Sequence, residues 1–149
     1  IAADAVVGTG VLQRNPHTIP DDVGAFDVVA PSLGEPVVVP VPRARLAAYK
    51  RLASQSGKLW IEHGALEFRE CVADDVKPGK RTSFPQAVKL KDDELVIFSY
   101  IVFKSRKHRD SVNAKVMADP RLEALIAGKD MPFDGKRMFW GGFKTLVSL

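Results

Sequence analysis

Residues 94–103 read Glu94-Leu95-Val96-Ile97-Phe98-Ser99-Tyr100-Ile101-Val102-Phe103, and this stretch decides the fold. Its β-branched and aromatic side chains predict a β-strand. Side chains alternate between the two faces of a strand, so one face carries Leu95, Ile97, Ile101 and Phe103 and the other carries Val96, Phe98, Tyr100 and Val102. Because both faces are apolar, both must be covered by other parts of the assembly.

The residues before this strand predict a strand, a helix and a second strand. Residues 37–42 are a valine-rich run stopped by prolines, which is typical of a short strand. Apolar residues then recur at helical spacing across residues 43–63, and Gly64 suits the left-handed position that ends a helix. Residues 65–73 alternate apolar and polar side chains, which predicts a strand with one polar face. That polar face carries Glu67, Arg69 and Cys71.

The next two segments are a long loop and a second helix. Residues 74–93 read as an exposed excursion, in which Ser83-Phe84-Pro85 is the candidate anchor. Ser105 is a suitable N-cap for a helix from residue 106 to about residue 118. Asp119-Pro120 interrupts this helix before a further turn at residues 122–126.

The last segment completes the pattern. Asp134-Gly135 predicts a turn, and residues 136–149 predict a fourth strand. The order is therefore β-α-β-β-α-β, the pattern of a ferredoxin-like α+β sandwich whose antiparallel sheet has helices on one face. The other face still needs cover, and the sheet of a second copy is the simplest source. We therefore predict a homodimer in which two sheets form an α/β barrel.

Charge divides the chain into two parts. Residues 1–35 hold one basic and five acidic residues, and we interpret them as an acidic leader that is an irregular arm or disordered. Two valine pairs in the leader, Val6-Val7 and Val28-Val29, leave open an added edge strand. Residues 36–149 form the predicted domain and hold 21 bases against 13 acids. Such a surplus attracts nucleic acid in some proteins, but it is more often a solvated surface, so nucleic acid is not the expected partner.

Composition sets two further limits. No apolar run approaches the ~20 residues that a membrane span requires, so we expect no membrane association. Cys71 is the only cysteine, which excludes an intrachain disulfide and suits a reducing cytoplasm. The three histidines are widely spaced and form no local metal pattern, and there is no glycine-rich phosphate loop. We therefore expect neither a metal nor a cofactor.

Several short motifs together carry a resemblance to a known family: Val38-Val39-Pro40-Val41-Pro42, Trp60-Ile61-Glu62-His63-Gly64-Ala65-Leu66-Glu67, Glu70-Cys71, Ser83-Phe84-Pro85, Val112-Asn113-Ala114-Lys115-Val116-Met117 and Met131-Pro132-Phe133-Asp134-Gly135-Lys136-Arg137-Met138. They resemble the YbaA-like family of small bacterial proteins of unknown function (DUF1428), within the dimeric α/β-barrel superfamily. The resemblance implies a ferredoxin-like subunit that pairs sheet to sheet. Family members begin near the first strand, so the leader departs from their pattern. The superfamily includes enzymes and non-catalytic binding modules, and no active-site residue carries over to this chain.

Polar residues suggest one candidate site in the predicted barrel. Glu67, Arg69 and Cys71 share a face that could line the internal cavity and bind or protonate a small polar ligand. A solvated edge or an ion pair between subunits is the alternative. His63 lies at a predicted helix end, where the helix dipole favours imidazolium, and its alternative is a capping role. Our catalytic candidates are His63, Glu67 and Cys71.

Aromatic and cationic residues suggest two further interpretations. Trp60, Tyr100, Phe139 and Trp140 could wall an apolar pocket, although aromatic residues at these positions also suit a core or a dimer interface. Our ligand-binding candidates are Trp60, Arg69, Tyr100 and Trp140. Arg106, Lys107 and Arg109 begin the second helix and could bind an anion or RNA. A solvated helix face is the alternative, because no aromatic residues alternate with these cations for base stacking.

Two functions follow from these patterns. The first is the binding of a small polar organic ligand in the dimer barrel, with cofactor-free acid/base chemistry as an open extension. The second is a non-enzymatic, stress-related or interaction module whose basic helix binds an acidic partner or RNA. The sequence does not decide whether the protein is an enzyme.

Overall fold

The computed structural model describes residues 32–149, so most of the predicted leader, including both valine pairs, lies outside the described residues. Strand β1 spans Leu33–Pro42 and thus begins three residues before the predicted domain start at residue 36. Leu33 is buried and pairs with Phe103, which explains the earlier start. Residues 33–35 therefore belong to the sheet and not to the leader.

The remaining elements follow in the predicted order. A 3-10 turn at Arg43–Arg45 leads into helix α1, and the predicted helix start at residue 43 is thus three residues early. The elements are α1 (Leu46–Glu62), β2 (Glu67–Val72), α2 (Phe84–Ala87), β3 (Glu94–Phe103), α3 (Arg106–Met117), α4 (Pro120–Ile126), a 3-10 turn (Gly135–Arg137), β4 (Phe139–Trp140) and β5 (Phe143–Lys144).

The sheet is antiparallel, with strand order β2-β3-β1-β4, and β5 also pairs with β1. Residues of α1, α3 and α4 pack on one face of it. This arrangement confirms the prediction of an α+β, ferredoxin-like fold. Strand β3 has the bounds predicted from its sequence.

The core lies between the helices and one face of the sheet. Val39 and Val41 of β1 and Ile97 of β3 pack with Tyr49 and Ala53 of α1. A second cluster joins the other end of the sheet to helices α1, α3 and α4, and it contains Leu59, Trp60, Ile101, Phe103, Val112, Val116 and Leu122. Burial of these side chains fixes the helices on this face, at roughly 1.5–3 kcal/mol for each fully buried large apolar side chain.

Local signals mark the helix ends, and those at Gly64 and Ser105 were predicted. Gly64 follows α1 with a φ of 114°, a conformation that glycine adopts without steric cost. The Ser105 hydroxyl accepts a hydrogen bond from the backbone N–H of His108 at 3.1 Å and caps α3. The Asp119 carboxylate accepts one from the backbone N–H of Arg121 at 2.9 Å and caps α4.

The excursion between β2 and β3 folds back over one end of the second sheet face. Val88, which follows α2, is completely buried and packs with Val38 and Val96. The Arg137 side chain donates hydrogen bonds to the Lys89 carbonyl at 3.0 Å and to the Glu94 carboxylate at 2.8 Å, which ties the excursion to the sheet. The excursion is therefore only partly exposed, and it covers part of the face for which we predicted an external partner.

The predicted fourth strand is wrong as a single element. Residues 135–137 form a 3-10 turn, and two strands of two residues each follow it, with Gly141 and Gly142 between them. A Cβ atom at Gly142 would lie 2.5 Å from Nη1 of Arg109. The end of the flexible Arg109 side chain occupies this space, and the glycine pair interrupts the strand.

Candidate functional site

We define the open face as the part of the second sheet face that the excursion leaves uncovered. The strand register places on it the exposed or half-buried side chains of Glu67, Arg69, Cys71, Phe98, Tyr100, Val102, Phe139 and Phe143. Phe143 is 64% exposed. Several aromatic rings on one sheet face form an apolar patch of the kind that marks a ligand or protein interface.

The polar row predicted from the sequence lies on this face. Strand β2 places Arg69 opposite Tyr100, and Cys71 opposite Phe98. The Nε atom of Arg69 lies 3.8 Å from an Oε atom of Glu67, and both side chains are about half exposed. An exposed pair at this distance is weak, so the guanidinium remains able to bind an anionic group. Cys71 carries a free, exposed thiol.

The aromatic rings are ordered around Phe98. Its ring centroid lies 6.3 Å from that of Tyr100 and 6.0 Å from that of Phe84, and the second pair has an edge-to-face geometry. Such contacts stabilise ring positions beyond simple burial. Phe84 belongs to α2, so the excursion forms one border of the open face.

His63 does not join Glu67 and Cys71. It caps the end of α1 on the helix side of the sheet, and its Nε2 atom lies 2.8 Å from Oδ2 of Asp119. Arg121 contacts the same carboxylate and also pairs with Glu62 at 2.8 Å. Hydrogen bonds from Arg121, and secondly from His63, hold the pKa of Asp119 well below its usual range. The cluster joins the end of α1 to the start of α4, which agrees with the capping alternative for His63.

Two of the predicted ligand-binding residues also lie away from the open face. Trp60 is 2% exposed, and its indole N–H donates to Oδ1 of Asn113 at 2.9 Å, so it is a core residue. The register pairs Trp140 with Val37, whose side chain belongs to the core on the helix side. Phe139, opposite Val38, takes the place of Trp140 on the open face. Arg69 and Tyr100 remain candidates there.

The three cationic residues at the start of α3 differ in exposure and in their contacts. Arg106 and Lys107 are exposed, whereas Arg109 is partly buried and binds the Asp110 carboxylate through Nη2 at 2.8 Å. Its Nη1 atom lies close to Gly142. Because Arg109 already has an anionic partner, two of the three predicted anion-binding residues are left for an external anion.

Sequence reasoning missed Glu70. It lies in β2 on the same face as Phe68, toward the helices, and its Oε2 atom accepts a hydrogen bond from the Tyr49 hydroxyl at 2.9 Å. Burial raises the pKa of Glu70 to about 7, although the Tyr49 hydrogen bond acts against this rise. Burial, and secondly the Glu70 charge, raise the pKa of Tyr49. The alternation in residues 65–73 contains the signal, because Glu70 occupies an apolar position.

Two classes of feature are absent from residues 32–149. No group of three or more histidine, cysteine, aspartate or glutamate side chains is arranged to hold a metal ion in this part of the chain. No helix among these residues has the length and apolar character needed to cross a membrane.

The strand order and the helices on one side of the sheet define a ferredoxin-like α+β domain. On the other side, the open face of the sheet is exposed. A family model described as "Protein of unknown function (DUF1428)" matches residues 35–135. The chain belongs to this family, which confirms the resemblance drawn from its motifs. The family description assigns no activity, so function must be argued from the sites.

Curated relatives support the family membership. The chain is 46% identical over 110 residues to the uncharacterized protein YbaA of Escherichia coli (strain K12), covering 74% of this chain and 92% of YbaA. YbaA of Shigella flexneri matches with the same identity and coverage. The family match begins at residue 35, which lies inside strand β1.

Solved structures give more distant matches. A nipsnap family protein with unknown function from Agrobacterium tumefaciens has 15% identity and a TM-score of 0.49, covering 78% of this chain and 89% of that protein. A conserved protein of unknown function from Bacteroides thetaiotaomicron, described as a possible oxidoreductase, has 9% identity and a TM-score of 0.47, covering 78% and 100%. Identities this low do not transfer an activity.

Proposed function

We propose that the protein binds a small polar organic ligand in a cavity that forms when the open face packs against the open face of a second copy. The observation that carries this proposal is the exposed aromatic patch on the same sheet face as Arg69, Glu67 and Cys71. Apolar walls with a few convergent polar groups are the usual composition of a ligand site.

A second copy of the chain is the proposed partner, because in a dimer with twofold symmetry the same surface patch of each subunit packs against that of the other. Each subunit would cover the aromatic rings of the other, including Phe98 and Phe139. The charged row would then lie inside the assembly, where an unpaired guanidinium is costly. A ligand with an anionic group would pair with Arg69, while its apolar body would contact the rings.

Chemistry at this site would use Glu67 as the group that moves a proton and Tyr100 or Arg69 as the group that positions the ligand. His63 has no part in this version, because it lies on the helix side of the sheet with Asp119. Neither a metal nor a nucleotide is required. The exposed thiol of Cys71 suits a reducing bacterial cytoplasm, where we place the protein.

The lone thiol gives a direct test of the proposed packing. Cys71 should react slowly with Ellman's reagent at high protein concentration, where it is covered, and faster on dilution. Phe98→Asp should make the reaction fast at every concentration, because a buried charge opposes packing of the two faces. Leu146→Asp is the matched control, since Leu146 is exposed near the C-terminus, outside the sheet. A concentration-independent rate in the wild type would contradict the proposal.

Benzoate is a suitable first probe for the ligand class, since it combines a carboxylate with an aromatic body. We expect Arg69→Met to weaken benzoate binding by about tenfold or more, because the variant removes the charged partner. Arg51→Met makes the same chemical change at an exposed position of α1 and should leave binding unchanged. Isothermal titration of the three proteins decides the point, and equal affinities for wild type and Arg69→Met would exclude Arg69 from the site.

A further inference from the structure

A groove of about 450 Å³ lies on the other side of the sheet, between α1 and the edge strand β2. Its walls include Ala53 and Ile61 from the helix and Phe68 from the strand. Gly57 allows the close approach of the two elements, because a Cβ atom there would lie 2.5 Å from the Phe68 ring. The groove is therefore an apolar slot next to the sheet edge.

Glu70 lines this groove, and one of its carboxylate oxygens has no partner among the described residues. Oε2 accepts the hydrogen bond from Tyr49, whereas Oε1 is buried and makes no hydrogen bond with any residue from 32 to 149. A buried acceptor without a partner costs about 1–3 kcal/mol, and a charged one costs more. This carboxyl group is thus suited to a donor that residues 32–149 do not supply.

Ser99 provides a second, independent sign of a ligand. It lies directly opposite Glu70 in the register of β2 and β3 and is 1% exposed, and its hydroxyl has no hydrogen-bond partner in the described part of the chain. Opposite side chains on one sheet face are close neighbours. Two unpartnered polar groups, one on each strand, therefore lie side by side under α1.

We propose that the Glu70–Ser99 pair and the adjoining groove bind a small primary ammonium compound with an apolar body. The ammonium group supplies the donor that the free oxygen of Glu70 lacks, and its other N–H groups can reach the Ser99 hydroxyl. The apolar body lies in the slot between Ile61 and Phe68. This site is separate from the open face and does not depend on the function proposed for that face.

Charge selects a cation over an anion. Of the charged groups of α1 that line the groove, Glu62 is paired with Arg121 at 2.8 Å, and Lys58 is exposed, so solvent screens its charge. Tyr49 is neutral, and Ser99 is the uncharged neighbour from β3. The Glu70 carboxyl group therefore decides which ligand is preferred, and its carboxylate form repels anions. Since burial raises the pKa of Glu70 to about 7, ammonium binding at neutral pH should displace a proton from it.

Benzylamine is the probe, and benzyl alcohol is its uncharged analogue. We expect isothermal titration to show benzylamine binding to the wild type, with binding at least about tenfold weaker for benzyl alcohol and for Glu70→Gln. Glu123→Gln makes the same change at an exposed position of α4 and should bind like the wild type. Far-UV circular dichroism verifies that each variant is folded.

Proton release gives a measurement that needs no variant. Near pH 7 the binding enthalpy should differ between phosphate and MOPS buffers by the amount expected for about half a proton released per ligand. No heat of benzylamine binding, equal affinities for benzylamine and benzyl alcohol, equal affinities of wild type and folded Glu70→Gln, or equal enthalpies in the two buffers would each overturn the proposal.

Discussion

The two faces of the sheet begin from similar strand residues and are covered in different ways. The helix-side face is filled by apolar residues of the same subunit, and Trp60 and Phe103 are buried there. The opposite face is covered at one end by the excursion, and its aromatic rings elsewhere are exposed. The buried helix-side face contains two polar side chains, Glu70 and Ser99, that lack hydrogen-bond partners among the described residues. The exposed face carries apolar rings in contact with solvent. These exceptions are the basis of the two proposed sites.

The largest expected effect comes from Arg137, which joins the excursion to the sheet at the covered end of the second face. Arg137→Met should lower the free energy of unfolding by about 3–5 kcal/mol, because it leaves the buried Glu94 carboxylate without its charged partner and with only the backbone N–H of Lys91. Hydrogen bonds from Arg137 hold the pKa of Glu94 below its usual value in the folded protein. Urea denaturation measures the loss.

Lys77→Met is the matched control for Arg137→Met, since Lys77 pairs with Asp75 in an exposed part of the excursion. It should change stability by less than about 1 kcal/mol. Similar losses in the two variants would mean that burial does not set the strength of the Arg137 pair.

The second effect concerns Glu70, the buried carboxyl group on the helix side of the sheet. Burial raises the pKa of Glu70 from 4.5 to about 7, so between these values the folded chain keeps a proton that the unfolded chain has lost. The contribution of Glu70 is therefore fully present below pH 4.5 and is lost as the pH rises toward 7. The loss should reach roughly 3 kcal/mol.

Glu70→Gln cannot titrate at this position, so the difference in unfolding free energy between wild type and variant isolates the effect. That difference should change in favour of the variant from pH 4.5 to pH 7.5. A difference that does not vary with pH would show that the Glu70 carboxyl group ionises normally in the folded protein.

A smaller effect tests the tight contact between α1 and β2. Gly57→Ala should destabilise the protein by about 1–2 kcal/mol, because its Cβ atom would overlap the Phe68 ring. Helix propensity acts in the opposite direction by about 1 kcal/mol, so the steric cost must exceed that gain. Thermal unfolding measures the net change.

Ser54→Ala separates the two contributions, since Ser54 is an exposed residue of the same helix. It should gain a few tenths of a kcal/mol from helix propensity alone. A stabilised Gly57→Ala variant would show that Phe68 moves aside without cost.

Elements with strong local signals could be predicted from the sequence. Strand β3 had a continuous run of β-branched and aromatic residues, and Ser105 had the side chain that caps a helix. The start of β1 was missed because the valine-rich run begins only after Pro36, whereas pairing with β3 keeps the chain extended from Leu33. The last strand was overextended because the prediction continued it through Gly141-Gly142, where the structure divides it into β4 and β5.

The candidate sites divide in the same way. Alternation along β2 was enough to place Glu67, Arg69 and Cys71 on one face, whereas the helix-side positions of His63 and Trp60 depend on contacts with Asp119 and Asn113. These contacts join residues more than fifty positions apart, and no local pattern indicates them. Glu70 was overlooked for a different reason, since its position in the alternation was visible but its Tyr49 partner was not.

Sedimentation equilibrium of the wild-type protein and Phe98→Asp tests the central claim most directly. If the open face packs against itself, the wild type should have a mass near twice 16.3 kDa and the variant a mass near 16.3 kDa. A wild-type protein that sediments as a monomer at all concentrations would contradict the account. An unchanged dimer in Phe98→Asp would place the interface on another surface.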